Sequence, residues 1–186
     1  MHCFALHDTF SSSSVDGSAS LLSRSKEFNM IRIFLHGLES SSRGAKAAFL
    51  RDHFPDMIIP DFRGSLSERM KSLNSILRGR REIILVGSSF GGLMATLYAM
   101  ENGDAAVRLV LLAPALNFPD FSGYGIKQVS IPARMIMGTH DTVTPAEIVL
   151  PIARSIFADL TYDEVNDDHI LAGTFRSLDW KSLLKV

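Results

Sequence analysis

A serine flanked by glycines follows one of the most apolar runs of the chain. The segment 86–92 reads VGSSFGG, so Ser89 is the centre of a G-x-S-x-G pattern between an expected strand and an expected helix. A serine on such a sharp turn projects its hydroxyl clear of the sheet, and the crowded turn requires glycine neighbours. The pattern predicts Ser89 as a nucleophile, with Ser88 pointing away. The alternative is a glycine-rich turn that only packs.

An acid and a base follow this serine in the chain. Asp141 lies in GTHDTVTP (138–145), directly after another apolar run, and His169 lies in NDDHI (166–170). Of the six histidines, only His169 follows both Ser89 and Asp141. The order serine, aspartate, histidine occurs in catalytic triads, where histidine is the general base and aspartate orients it. The alternatives are a turn aspartate and a surface-loop histidine.

A His-Gly pair after the first expected strand points to a second part of the same chemistry. The backbone amide of Leu38 follows His36 and Gly37, and the amide of Phe90 opens the helix after the serine. Free amides at such positions bind developing negative charge, so both are predicted as oxyanion-hole donors. His36 is an alternative base and a candidate pocket residue, but we interpret it mainly as a support for the loop backbone.

Candidate substrate contacts are fewer. The stretch 115–129 contains three aromatic residues, Phe118, Phe121 and Tyr124. They are expected to wall an acyl pocket, or else to pack the loop against the core. Arg43 and Arg63 follow the first two strand ends and are candidates to bind an acidic group or a phosphate. The alternative is that both are solvated or paired with a neighbouring carboxylate.

Short apolar runs alternate with amphipathic segments from Met30 onward. Six runs are predicted as strands: Ile31–Leu35, Met57–Ile59, Ile83–Val86, Val107–Leu112, Ala133–Met137 and Leu160–Val165. The last is more polar, as an edge strand would be. This alternation predicts an α/β fold, a three-layer α/β/α sandwich around a parallel sheet. Ligands bind such sheets beyond the carboxyl ends of the strands, where the candidate residues lie.

Helices are predicted between the strands. The expected segments are Ala45–Phe54, a helix from Ser65 to about Gly79, residues 89–102, a helix beginning at Thr144-Pro145, and Phe175–Leu184. Ser65–Glu68 and Thr144–Glu147 each have the spacing of a capping box, in which the side chains of the first and fourth residues satisfy free amides. Pro145 would then occupy the first helical position.

Composition limits the class of protein. The chain has 186 residues, a net charge of −1 and 46% hydrophobic residues, which is typical of one globular domain without the basic footprint of a nucleic-acid binder. Cys3 is the only cysteine, so an intrachain disulfide and a multi-cysteine zinc site are excluded, and a reducing, cytoplasmic location is expected. No apolar run reaches the length of about 18 residues that a membrane span needs.

Residues 1–29 differ from the rest. Serines are frequent there, no apolar periodicity persists, and the composition fits neither a secretory signal nor a transit peptide. We expect residues 1–29 to be a disordered or mis-assigned N-terminal extension, with Met30 as a plausible alternative start. Residues 30–186 are then the domain.

The motifs FLHGLESS, VGSSFGG, GTHDTVTP and DDHI together resemble the α/β-hydrolase superfamily over residues 30–186. The small size and the HGLESS segment are similar to compact bacterial YqiA-like esterases, which lack a large lid domain. The resemblance implies six parallel strands in the order 2-1-3-4-5-6. One position departs from the pattern, because the residue before the base is often glycine and is Asp168 here. Asp167 and Asp168 are therefore alternative partners of His169.

The resemblance implies a serine hydrolase that cleaves a small-molecule carboxylic ester or acyl thioester through an acyl-enzyme, without metal or organic cofactor. No nucleic-acid partner is expected, and the protein is expected to be a monomer or small homo-oligomer. Two alternatives use the same scaffold. One is a catalytically silent binding protein, and the other is a cofactor-free perhydrolase with the same triad.

Overall fold

Five parallel strands form one sheet in the computed structural model, which describes Met1 and residues 30–185. The expectation for residues 1–29 lies outside the described residues, apart from Met1. The strands are β1 (Ile31–Leu35), β2 (Ile83–Ser88), β3 (Ala106–Leu112), β4 (Ala133–Gly138) and β5 (Leu160–Val165). They lie side by side in chain order, so all five carboxyl ends meet at one edge of the sheet.

The prediction of six strands, and with it the six-strand order, is wrong at Met57–Ile59. This segment joins the edge of β1 through a single parallel bridge. The amide of Ile58 donates to the carbonyl of Arg32 at 2.8 Å, and the amide of Phe34 donates to the carbonyl of Ile58 at 2.9 Å. Pro60 follows at once and has no N–H to donate, so the pairing does not extend into a strand.

The helices begin and end close to the predicted bounds, with one exception. They are α1 (Ala45–His53), α2 (Leu66–Ile76), α3 (Phe90–Glu101), α4 (Ala146–Ile156), α5 (Ala172–Ser177) and α6 (Trp180–Leu183), with a 3₁₀ turn at Pro119–Tyr124. The single last helix expected over 175–184 is wrong, because extended backbone at Leu178 separates α5 from α6.

Only one of the two predicted capping boxes forms. At α2 the amide of Glu68 donates to the Ser65 hydroxyl at 3.4 Å, and the amide of Ser65 donates to the Glu68 carboxylate at 2.8 Å. At α4 the predicted box is wrong. Pro145 occupies the cap position, no side chain caps the helix, and the hydroxyl of Thr144 is used elsewhere.

Helices cover both faces of the sheet. Strand side chains alternate between two apolar clusters, so Ile33 and Leu35 pack toward α2, α3 and α4, while Phe34 packs toward α1, α5 and α6. This is the three-layer arrangement that the alternation predicts. Helix α3 is buried over all of residues 90–100, which anchors it rigidly behind the strand ends. Across residues 30–185, every helix is too short or too polar to cross a membrane.

Candidate active site

Ser89 lies on a strained turn between β2 and α3. Its backbone has φ +53° and ψ −117°, a conformation that is energetically unfavourable for any residue other than glycine. Hydrogen bonds hold it there. Its amide donates to the carbonyl of Leu112 at 2.8 Å, and its carbonyl accepts from the amides of Gly92 at 2.8 Å and Ala115 at 3.0 Å. The turn therefore presents the serine at the carboxyl edge of the sheet.

The flanking glycines are required by close approach of backbone atoms. A Cβ on Gly91 would lie 1.9 Å from the carbonyl oxygen of Leu35 at the end of β1. A Cβ on Gly87 would lie 2.4 Å from the carbonyl oxygen of Gly91. Both distances are far inside van der Waals contact, so the helix can pass the strand ends only because these positions have no side chain.

A continuous hydrogen-bonded chain joins the three predicted residues. The Oγ of Ser89 is 2.9 Å from Nε2 of His169, and Nδ1 of His169 is 2.8 Å from Oδ2 of Asp141. A carboxylate only accepts, so Nδ1 of the neutral imidazole carries the proton and Nε2 accepts from the serine hydroxyl. The Asp141 side chain is fully buried, whereas the imidazole of His169 is 20% exposed and faces the open side.

The Asp141 carboxylate is saturated with donors. Its Oδ1 accepts from the amides of Val143 at 2.9 Å and Thr144 at 2.8 Å, and its Oδ2 accepts from the Thr144 hydroxyl at 2.6 Å as well as from His169. Burial acts to raise the pKa of Asp141. The hydrogen bonds from Thr144 and the partnership with His169 outweigh it, so the pKa lies below its ordinary value. The group is a carboxylate in the neutral range.

Thr144 is a site residue that sequence reasoning missed. It is buried, and its hydroxyl lies 3.2 Å from Nδ1 of His169 and 3.4 Å from the carbonyl oxygen of Ala113, besides its shorter contact with Asp141. A hydroxyl has one proton, and the shortest contact identifies the Asp141 carboxylate as its acceptor. The spacing Asp-x-x-Thr was a signal for this interaction, because aspartate bonds amides two and three residues ahead.

The alternative acids beside the histidine have other partners. Asp168 accepts from the amide of Ile170 at 2.8 Å, and Asp167 accepts from the amides of Asp168 and Thr174, each at 2.9 Å. These bonds shape the loop that carries His169. Lys46 of α1 also braces this loop, because its ammonium donates to the carbonyl of Ile170.

His36 has the geometry of a support rather than of a base. It is buried, its Nε2 accepts from the amide of Phe62 at 2.9 Å, and its Nδ1 donates to the carbonyl of Gly37 at 2.8 Å. Both ring nitrogens are thus occupied by the backbone. Gly37 itself lies close to the nucleophile, since a Cβ there would be 3.5 Å from the Cβ of Ser89.

A cavity of about 800 Å³ opens over the serine and the histidine. Its apolar lining includes Phe34, Leu38, Phe90, Ala115, Phe118, Pro119, Val143, Ile170 and Phe175. The two predicted oxyanion residues, Leu38 and Phe90, thus line the same cavity as Ser89. Phe118 packs edge-on against Phe90, with ring centroids 5.0 Å apart.

The remaining pocket predictions are placed elsewhere, and His36 also lies outside the cavity lining. Phe121 is buried in the core, and Tyr124 is exposed outside the cavity lining. Arg43 is exposed, and Arg63 is exposed and lies 3.9 Å from the carboxylate of Asp61. The cationic side chains that do line the cavity are Lys46 and Arg176. The described residues contain no group of three histidine, cysteine or acidic side chains placed to hold a metal ion.

Comparison with known proteins relates this geometry to a family. Residues 31–131, more than half of the chain, match the family model described as "Uncharacterised protein family (UPF0227)".

Solved structures share the architecture. The mouse alpha/beta hydrolase domain-containing protein 10 superposes with a TM-score of 0.68 at 18% identity, covering 78% of this chain and 85% of that one. Est1E from Butyrivibrio proteoclasticus, with ferulic acid bound, gives 0.67 at 13% identity, covering 80% and 84%. An alpha-beta serine hydrolase homologue from Coxiella burnetii gives 0.66 at 18% identity, covering 83% of each chain. At such identities the likeness shows a common α/β-hydrolase fold.

Proposed function

This chain belongs to the UPF0227 (YqiA-like) family, and we propose that it is a serine hydrolase that cleaves a carboxylic ester or acyl thioester through an acyl-enzyme. One observation carries the proposal. The chain of hydrogen bonds from Ser89 through His169 to Asp141 ends at a strained serine that faces a largely apolar cavity. Strain at a serine is held in place only where the surrounding structure over-determines it, which is typical of catalytic turns.

The geometry supports the following sequence of steps. His169 Nε2 takes the proton of Ser89 as its Oγ attacks the acyl carbon, and then gives that proton to the departing alcohol or thiol. Asp141 holds the imidazole in the required tautomer and stabilises its protonated form. Water, activated by the same nitrogen, then attacks the acyl-enzyme and releases the acid, with the serine proton restored.

The oxyanion of each tetrahedral intermediate would be bound by the amides of Leu38 and Phe90. Phe90 is the first residue of α3, so its N–H has no acceptor within the helix and points beyond the helix end. Leu38 follows Gly37, whose position lies against the side chain of Ser89. Each such donor contributes on the order of 10²–10³ in rate in comparable sites.

The cavity favours a substrate with an apolar acyl group. Three large apolar side chains on its rim are exposed to solvent: Leu38 by 41%, Val143 by 59% and Ile170 by 61%. Apolar side chains gathered around a concave site mark a ligand-binding surface. The ferulic acid in Est1E shows that a site on the same fold holds an aromatic acid, which supports an acyl pocket here.

A fluorophosphonate probe tests the proposal, because it reacts only with an activated serine. The wild-type chain should be labelled and should hydrolyse p-nitrophenyl esters, with loss of both in Ser89→Ala. In triad enzymes the nucleophile contributes on the order of 10⁶ in kcat. Ser88→Ala is the matched control, because Ser88 also lines the cavity but only Ser89 bonds His169, and it should keep most of the activity. Intact folding without labelling or turnover in the wild type would identify a silent binding protein instead.

A panel of acyl esters and acyl thioesters of graded chain length then defines the substrate class. Turnover of thioesters at a matched acyl chain separates the two leaving groups. A cytoplasmic location and a monomeric or small homo-oligomeric state stay predictions from the sequence. Size-exclusion chromatography with light scattering measures the second.

A further inference from the structure

A buried arginine stands behind the cavity wall. Arg69 of α2 is 5% exposed, and it does not line the cavity. Its Nε donates to the carbonyl of Gly64 at 3.0 Å, and its Nη2 donates to the carbonyl of Leu38 at 3.3 Å. Among the described residues, its Nη1 is buried without a hydrogen-bond partner. A buried cation with an unpaired N–H group costs folding free energy, and the nearby charge of Glu39 offsets this cost only in part.

Arg69 contacts both residues that carry the proposed oxyanion amides. Besides its bond to Leu38, its guanidinium carbon lies 5.2 Å from the centroid of the Phe90 ring, within the range of a cation–π contact. The planar guanidinium can bond a carbonyl with its edge while its face covers a ring, which a lysine cannot reproduce. One side chain thus fastens the loop after β1 to the first turn of α3.

The loop after β1 is held mainly by hydrogen bonds to neighbouring segments. The side chain of Leu38 is 41% exposed, so it packs weakly. Arg51 of α1 holds one end of this loop, because its Nη2 donates to the carbonyl of Ser42 at 2.6 Å, and the other ties come from the segment that leads into α2. The amide of Phe62 donates to His36, and the Oδ1 of Asp61 accepts from the amide of Ser42. Residues 61–69 therefore make three hydrogen bonds to the loop, and Arg69 makes the one to Leu38.

We propose that Arg69 is a positioning residue of the oxyanion hole, which fixes the Leu38 amide relative to the Phe90 amide. The inference rests on the proposed function. Two amides must point at one oxygen, and a misplacement of about 1 Å in a catalytic group can cost on the order of 10² in rate. Arg69 does not line the cavity, so it acts through the two segments that carry these backbone donors.

Arg69→Met tests the inference, because methionine retains an unbranched side chain but removes the guanidinium. The kcat for p-nitrophenyl butyrate should fall by about 10- to 100-fold per active site titrated with fluorophosphonate, with KM changed by less than about threefold. Inhibition by phenylboronic acid, whose tetrahedral adduct places an oxygen in the hole, should weaken in parallel. The melting temperature should change little, since the lost group was incompletely bonded.

Arg108→Met is the matched control. Arg108 also donates to backbone carbonyls, those of Ser182 and Leu183, but lies outside the cavity lining. Its kcat per titrated site should stay within about twofold of wild type. Arg69→Lys serves as a second variant if the methionine variant does not fold, and its kcat should fall by about tenfold, because an ammonium lacks the planar fork.

The outcomes separate the inference from the proposed function. If the wild-type chain shows Ser89-dependent turnover while the foldable Arg69 variants keep kcat and boronate affinity, the inference alone is overturned. It is also overturned if Arg108→Met loses as much kcat per site as Arg69→Met. If the wild type shows no turnover and no labelling, the proposed function falls and the inference falls with it.

Discussion

The two halves of the candidate site are built in opposite ways. In the acid–base half, the predicted groups are side chains that bond one another. The candidate acid, Asp141, accepts hydrogen bonds from its own turn, since the amide and hydroxyl of Thr144, three residues later, both donate to it. In the oxyanion half, the proposed groups are backbone amides, and they are held by residues from elsewhere, with Arg69 reaching Leu38 across 31 positions. Side chains show their chemistry in a sequence, whereas every residue except proline carries an amide.

This difference predicts how each half fails. A change in the acid–base half alters a charge or a tautomer, so its effect should be large and specific to one side chain. A change in the oxyanion half moves a loop, so its effect should be smaller and shared by several supporting residues.

The largest difference in kcat within the acid–base half should appear between variants of two aspartates, Asp141 and Asp168. Asp141→Asn keeps the shape of the side chain but favours the wrong tautomer of His169, and kcat should fall by about 10⁴ by analogy with other triads. Asp168→Asn is the matched control, because Asp168 bonds the amide of Ile170 and not the imidazole. Steady-state kinetics compare the two. A larger loss in Asp168→Asn would transfer the role of the acid to the histidine's own loop.

Thr144→Val removes the hydroxyl that donates to Asp141 while keeping the β-branched shape. A hydrogen bond to a charged group contributes about 1.5–3 kcal/mol, so kcat should fall by about 10- to 100-fold. The pKa of Asp141 should rise toward its ordinary value, because one of the bonds that lowers it is lost. Thr142→Val, at an exposed position two residues before, is the control and should be near wild type. Equal losses in both variants would contradict the role of the hydroxyl.

His36→Gln separates a supporting histidine from a base in the oxyanion half. Glutamine cannot act as a general base near neutral pH, but its carbonyl can still accept from the amide of Phe62. We expect a loss of about tenfold or less in kcat, from displacement of the loop. A loss on the order of 10⁶, equal to that of His169→Gln, would make His36 the base and remove the contrast between the halves.

The smallest effect is a change in acid stability. The pKa of Asp141 is held below its ordinary value in the folded state, so the carboxylate stabilises the fold fully above the unfolded pKa of about 3.9. That contribution is lost as the pH falls through the lower folded pKa. Urea unfolding of wild type and Asp141→Asn should therefore differ in the neutral range, and the difference should shrink as the pH falls below about 4.

Other carboxylates with lowered pKa values, including Asp61, Glu68 and Asp167, are common to both proteins and cancel in that difference. A difference that is the same at every pH would show that the Asp141 charge does not stabilise the fold.

Much of the fold follows from local pattern. Five of the six apolar runs are strands and the Ser65 box caps α2, because burial on both faces and capping are local properties. The predictions that were wrong concern segments whose structure depends on neighbouring residues rather than on local pattern. Met57–Ile59 is apolar enough for a strand, but Pro60 prevents its pairing from extending beyond one bridge. The Thr144 hydroxyl does not cap α4, because it donates to the buried carboxylate of Asp141.

The sequence by itself determined which side chains stand at the strand ends: Ser89, Asp141 and His169 each follow a strand, in that order. Only the tertiary structure decided that their atoms meet, since a contact across 80 positions depends on how β2, β4 and β5 lie in the sheet. It also decided that Phe118 reaches the cavity while Phe121 turns into the core, and that Arg69 rather than Arg63 is buried behind the loop. The reason is physical. A residue's type limits the chemistry it can do, but burial and distance set its partners, and both are properties of the packed chain.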